Sequence, residues 1–159
     1  MPGWNKFFLI DTENNIKLTG IPDEIVRKTD GSYAIIDYKT ARFTAHQDAL
    51  HNMYKVQLNG YAMIAEEIGI SPISQLVLLY YEPMTDIIEI SREKLDELVS
   101  DENFMMGFKA HSLDVELDPV GTIKPLMKEV RRLWDGGVAP EGNGDCEDCR
   151  RMGEVVGLM

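Results

Sequence analysis

Hydrophobic and polar positions alternate along the first forty residues and then change period. Lys6 to Asp11 predicts a strand, and Glu13-Asn14-Asn15 supplies turn residues before a second strand from about Ile16 to Lys28. These two are expected to pair as a hairpin. Thr29-Asp30-Gly31-Ser32 forms the next turn, its Asp-Gly dipeptide favouring a tight hairpin, and Ser32 to Lys39 is the third strand. Gly20 and Pro22 interrupt the second strand, since proline cannot donate to a ladder and glycine has no side chain to pack. A bulge or bend is therefore expected there, aiming Asp23 at the end of the third strand.

A polar segment to His51 leads into a helix from about Asn52 to Ile68, with Val56, Tyr61, Met63, Ile64 and Ile68 as its apolar stripe and Gly69 as its C-terminal cap. Ile73 to Tyr81 is nearly all apolar, which predicts a central strand covered on both faces and reached by a helical crossover. Pro83-Met84-Thr85-Asp86 turns into a shorter strand, Ile87 to Ile90, and Ser91 caps a helix that buries Leu95, Leu98 and Val99. Ser112 to Gly121 reads as irregular and acidic. Thr122 caps a last helix to about Trp134, stopped by Gly136-Gly137. Met105, Met106 and Trp134 read as core residues. The order of elements predicts one α/β domain over residues 1–159 with a mixed sheet of about five strands flanked by helices, and a Gly- and Cys-containing tail over 136–159.

At 159 residues and 44% hydrophobic content the chain can bury a single core. No apolar run approaches the roughly 20 residues of a membrane-spanning helix, and Met1 to Lys6 lacks the layout of a secretory signal, so a cytoplasmic protein with no membrane partner is expected. The formal charge of −11 argues against a protein that coats nucleic acid, because backbone binding draws on Lys and Arg. A local cleft lined by Lys39, Arg42 and Lys55, with bound cations, can still be positive within an acidic surface.

The candidate chemistry lies in Asp37-Tyr38-Lys39, which closes the third strand. Side chains two apart on a strand share a face, so Asp37 and Lys39 point one way and Tyr38 the other. Alone, that pair reads as an ion pair at the mouth of a sheet. With Asp23 alongside, two carboxylates suit a hard divalent cation. Farther on, Gln57 and Tyr61 lie four apart on the predicted helix and project together. Gly20-x-x-Asp23, Asp37-Tyr38-Lys39 and Gln57-x-x-x-Tyr61, in that order across Leu18 to Ala62, resemble the PD-(D/E)XK nuclease superfamily, in its branch of RecB-type nuclease domains and CRISPR-associated RecB-like exonucleases.

The resemblance implies a restriction-endonuclease-like core. It also implies an Mg²⁺- or Mn²⁺-dependent deoxyribonuclease acting on DNA ends or single strands. Asp23, Asp37 and the Tyr38 carbonyl correspond to metal ligands, Lys39 to the catalytic lysine, and Gln57 and Tyr61 to residues that position the site and the DNA; Arg42 and Lys55 are candidate substrate contacts. Two departures stand out. The family's helix before the first strand, usually bearing a His, has no counterpart in Met1 to Asn5. Relatives with an iron–sulfur cluster use one early cysteine and a late group, whereas this chain has only Cys146 and Cys149, a vestige or half of a shared second metal site, so no complete cluster is expected within one chain. The rival reading is a non-catalytic nuclease-fold subunit of a larger DNA-processing assembly, partnered by another protein such as a helicase. A small zinc or redox protein centred on the cysteines is a third. His46, His51 and His111 share no ligand spacing and read as solvated or locally hydrogen-bonded, His46 alone being close to the site.

Overall fold

Turn chemistry organises the N-terminal third of the chain. In the computed structural model, which describes residues 6–43, 48–84, 99, 105–137, 142 and 145–157, β1 (Phe8–Asp11) and β2 (Ile16–Thr19) pair antiparallel as expected. Asp11 closes their turn. Its Oδ1 accepts the backbone N–H groups of Glu13 at 3.0 Å and Asn14 at 3.3 Å, and its Oδ2 accepts from the Asn14 side chain at 2.9 Å. That side-chain bond holds the Asp11 carboxyl below the usual carboxylate range.

The long second strand expected over Ile16 to Lys28 is in fact two. Gly20 to Asp23 leaves the first hairpin, and the chain resumes as β3 (Glu24–Arg27) in a different sheet, antiparallel to β4 (Tyr33–Lys39). Pro22, buried and without an N–H to donate, ends the first ladder rather than merely bulging it. In the β3–β4 turn Asp30 Oδ1 accepts both the N–H and the hydroxyl of Ser32, at 2.9 and 2.6 Å, while Gly31 takes φ +87°, a conformation that suits glycine.

α1 (Asp48–Glu67) carries the chain across the sheet so that β5 (Ile73–Pro83) runs parallel to β4, with Asp37 beside Leu78 and Lys39 beside Tyr80. This is the crossover that parallel pairing requires. Gly69, at φ +89°, ends the helical turn, and Ile70 N–H closes back on the Ala65 carbonyl at 2.8 Å. β6 (Phe108–Val115) pairs antiparallel to β5, placing Tyr80 opposite His111. Among the described residues the sheet order β3-β4-β5-β6 is mixed, as expected, with four strands where about five are expected and β1–β2 standing as a separate two-stranded sheet.

Leu58, Ala62 and Ala65 recur at helical spacing on α1 and share one fully buried core with Ile35, Leu76 and Leu78. Val56, expected in that stripe, is exposed, one position off the buried face. β5 is buried on the α1 side, but Tyr81 on the other face is exposed, so the strand is not covered equally on both faces. α2 (Pro119–Asp135) packs on α1 through Ile123 and Met127. Its cap is Asp118, whose Oδ1 accepts the Gly121 N–H at 2.9 Å, and not Thr122. Asp118-Pro119 combines an N-cap side chain with a proline already bent for the first helical turn, which moves the start upstream. Of the ten residues expected to be irregular, Ser112 to Val115 belong to β6 and Pro119 to Gly121 to α2. α3 (Glu147–Val156) occupies the tail.

Asn59 is fully buried on α1 and ties these layers together. Its Nδ2 donates to the Lys55 and Glu116 carbonyls, both at 2.9 Å, and its Oδ1 accepts the Asp118 N–H at 2.8 Å. Met105, Met106 and Trp134, expected in the core, are exposed, Trp134 by 81%. The expected strand at Ile87 to Ile90, the helix from Ser91 and His46 lie outside the described residues, except for Val99, which is exposed rather than buried. Among the described residues no helix is long and apolar enough to cross a membrane.

Candidate active site

Strand β4 carries a hydrophobic row into a polar one. Ile35, Asp37 and Lys39 follow one another on the face that α1 covers, so the core ends in a carboxylate that is only 3% exposed. Burying a carboxylate is costly unless it is paired. Lys39 Nζ forms an ion pair with Asp37 Oδ2, and Gln57 Nε2 approaches Oδ1 at 3.4 Å, the long end of hydrogen bonding. Oδ2 is buried and has no hydrogen bond beyond that ion pair. An ionised carboxylate offers about four acceptor directions. About half of the acceptor capacity of Asp37 is therefore unspent.

Asp23 arrives from the neighbouring strand. One step beyond the last paired residues, Glu24 and Ile36, the β3–β4 register sets Asp23 opposite Asp37. Its Oδ2 accepts the Tyr38 N–H at 2.8 Å, which fixes the carboxylate against the end of β4. Tyr38 turns its side chain to the other face, as the alternation predicts. There its hydroxyl donates to Glu24 and its ring lies 5.8 Å from that of Tyr81. The hydrogen bond to Glu24 pushes the Tyr38 phenol up to about 12.

α1 supplies the rest. Gln57 and Tyr61 project together, Gln57 Nε2 donating to the Tyr61 hydroxyl at 2.8 Å while also reaching Asp37. The Tyr61 ring in turn lies on Gly20, where an added Cβ would sit 2.7 Å from Cδ1 and closer still to Cε1, and it meets the Phe7 ring edge-on at 6.4 Å. That close approach explains Gly20, which the sequence alone suggested only as a bend. The separated pieces Gly20, Asp37, Gln57 and Tyr61 thus form one chain of contacts.

Two neighbours of this cluster carry no motif. The Tyr54 ring lies 4.4 Å from Lys39 Nζ, a cation–π contact that helps orient the ammonium. Tyr80, beside Lys39 in the sheet register, has its phenol pushed up by burial and then by Tyr54 and Asp37. Tyr54 stands seven residues before Tyr61, the spacing of one helix face, so a search of that face could have found it. Tyr80 is identifiable only from the β4–β5 register.

Lys55 makes its ion pair with Glu116, on the connection from β6 to α2. Arg42 is exposed beyond the end of β4. Cys146 caps α3, its sulfur accepting the Cys149 N–H at 3.4 Å, and that bond lowers the thiol from its ordinary range. Both cysteines are free, and among the described residues no group of three His, Cys, Asp or Glu side chains is gathered for a metal. The Asp23, Asp37 and Tyr38-carbonyl set differs from such a group in having a backbone oxygen as its third donor. Two carboxylates and a carbonyl, with an under-used buried oxygen, fit a hard cation that keeps several waters.

The parallel strand pair joined by a helical crossover, within a mixed four-stranded sheet, is consistent with a restriction-endonuclease-like fold. The family model of the PD-(D/E)XK nuclease superfamily matches residues 3–152, and the chain belongs to that superfamily. Its members are generally nuclease hydrolases that use divalent metals. No curated protein and no solved structure matches the chain.

Proposed function

We propose that the chain is a metal-dependent deoxyribonuclease of the RecB-like exonuclease type, acting on DNA ends or single strands. The observation that carries this reading is Asp37 Oδ2, buried, ion-paired with Lys39 and otherwise without a hydrogen bond, with Asp23 in register opposite. Asp23, Asp37 and the Tyr38 carbonyl would hold Mg²⁺ or Mn²⁺. Such an ion supplies Lewis acidity and a more acidic water when bound. Lys39 presents its ammonium beside the same carboxylate, where it can orient a water and offset charge growing on a phosphate. Gln57 steadies Asp37, Tyr61 steadies Gln57, and Tyr54 steadies Lys39. An acidic surface elsewhere suits a nuclease that meets DNA at a local cleft and docks on a protein partner.

The test is cleavage of end-labelled linear single- and double-stranded DNA with Mg²⁺, Mn²⁺ or EDTA, by the wild type and by Asp37→Asn and Lys39→Met. Metal-dependent shortening from the ends, lost in both variants, is expected. Metal-induced thermal stabilisation of the wild type without cleavage would replace the enzyme by a non-catalytic subunit. Equal cleavage by all three proteins would sink the site assignment.

A further inference from the structure

On the face that carries Asp37 and Lys39, the register continues across two more strands. Lys39 lies beside Tyr80, and Tyr80 lies opposite His111. At about 4.8 Å per strand, His111 stands roughly 10 Å along the sheet from Lys39. Phe43, just past the end of β4, folds over this row. Its ring stacks on the His111 imidazole, 4.3 Å between centroids and 8° from parallel, and meets the Tyr80 ring edge-on at 5.4 Å. His111 Nε2 lies 2.9 Å from Glu82 Oε2. A carboxylate only accepts, so Nε2 carries the proton and the ring is held in one orientation.

A near-parallel Phe–His stack is a π surface, and neither ring belongs to the buried core: Phe43 and the His111 side chain are partly exposed, the latter by 30%. A stack of this kind, its imidazole pinned by a carboxylate and seated on β6, costs little entropy to present to a third ring. Bases of a duplex are already stacked, whereas a single strand or a frayed end has free faces, and stacking tolerates any base. Stacking also needs no positive charge. That suits a chain of net charge −11, in which Glu82 itself offsets any charge on His111.

We propose that Phe43 and His111 form a stacking platform for one unpaired nucleobase of the strand being cut, close to the scissile phosphate, with Glu82 as the positioning residue for the imidazole. The proposal rests on the nuclease reading above and adds to it a base-binding subsite and a preference for single-stranded ends.

The probe is a fluorescein-labelled single-stranded oligothymidylate, with a matched series carrying one abasic nucleotide stepped along the strand. Binding is read by fluorescence anisotropy in Ca²⁺ and cleavage by single turnovers in Mg²⁺, for the wild type, Phe43→Leu, Phe43→Trp and His111→Gln. Thermal melting controls for folding. One abasic position is expected to weaken wild-type binding by about 5- to 150-fold, the range for loss of one stacked base. Phe43→Leu should weaken binding to the intact strand by a similar factor, Phe43→Trp should restore it, and Phe43→Leu with that abasic strand should lose little more, because both changes remove the same contact. His111→Gln, which keeps a donor to Glu82 but no ring, should resemble Phe43→Leu. If the wild type cuts but is indifferent to every abasic position, or the two losses multiply, the platform is overturned and the nuclease reading stands. If the wild type neither binds nor cuts any strand, both fall.

Discussion

Alanine at position 20 would strike the ring on which the site leans. The new Cβ would lie 2.7 Å from Tyr61 Cδ1 and closer to Cε1, whereas carbon pairs rest at about 3.5–4.0 Å, so the ring must retreat by about 1 Å. Phe7, itself 3% exposed, stands against it edge-on and blocks one direction, so the ring must shift toward the cavity that Gly20, Ile21 and Tyr61 line. Overpacking of this kind costs about 1–3 kcal/mol. The larger effect is on function. The Tyr61 hydroxyl holds Gln57 at 2.8 Å, and Gln57 reaches Asp37 at 3.4 Å, so a displaced ring lets go of an amide already at the limit of its reach. A 1 Å misplacement can cost about 100-fold in rate. We therefore expect Gly20→Ala to lower kcat/KM on single-stranded DNA by about 10- to 100-fold while the free energy of urea unfolding falls by no more than the overpacking cost. Gly20→Ala/Tyr61→Leu should recover most of the stability, since the clash is gone, and none of the activity, since the hydroxyl is gone too. Wild-type activity in Gly20→Ala, or a double variant no more stable than the single, would refute the chain of contacts.

Three further outcomes follow from the same geometry. Lys39→Met removes the cation from a buried carboxylate and should cost about 2–4 kcal/mol, somewhat under the value for a fully buried pair because Lys39 keeps 20% of its side chain exposed; Asp37→Asn leaves an ammonium that water can reach and should cost under about 1 kcal/mol. Equal losses in urea unfolding would contradict that asymmetry. Tyr54→Phe keeps the ring under Lys39 and should retain the wild-type rate, whereas Tyr54→Leu should lower kcat by about 2- to 30-fold at unchanged KM; steady-state kinetics showing the two variants alike would remove Tyr54 from the site. Asn59→Leu orphans the Glu116 carbonyl and the Asp118 N–H at about 1–3 kcal/mol each, so the unfolding free energy should drop by about 2–6 kcal/mol, and a drop below about 1 kcal/mol would mean that the bonds are replaced.

How far the sequence could be read depended on the range of the interaction. Asp30-Gly31 dictates its own turn and Gly69 its own helix end, because both act through the backbone conformation of one or two residues. The apolar run of β5 and its helical crossover were legible on another ground, since a central strand after a helix has few places to go. Asp118-Pro119 is equally local, an N-cap side chain followed by a proline in the first turn, and is a stronger start signal than Thr122. The split at Pro22 was different in kind. Its bend was visible, but the change of sheet depends on which partner β3 finds, and that is decided by Tyr33 to Ile36. Trp134 and the Met105-Met106 pair show the limit of treating hydrophobicity as burial, for each sits outside the face that α1 and the sheet enclose.

The same distinction separates the parts of the site. Asp37 and Lys39 are two apart on one strand and Gln57 and Tyr61 four apart on one helix, so each pair's common direction follows from a single element's geometry. What joins the pairs is tertiary: Leu58, Ala62 and Ala65 set the height of α1 over Ile35 and Leu78, and that height brings Gln57 to Asp37 and Tyr54 to Lys39. A helix rotated by one residue about its axis would carry Gln57 about 100° away from the carboxylate. The small residues Ala62 and Ala65 therefore matter to the chemistry as much as to the core, because they set how closely and at what rotation the helix can lie on the strand that ends in Asp37.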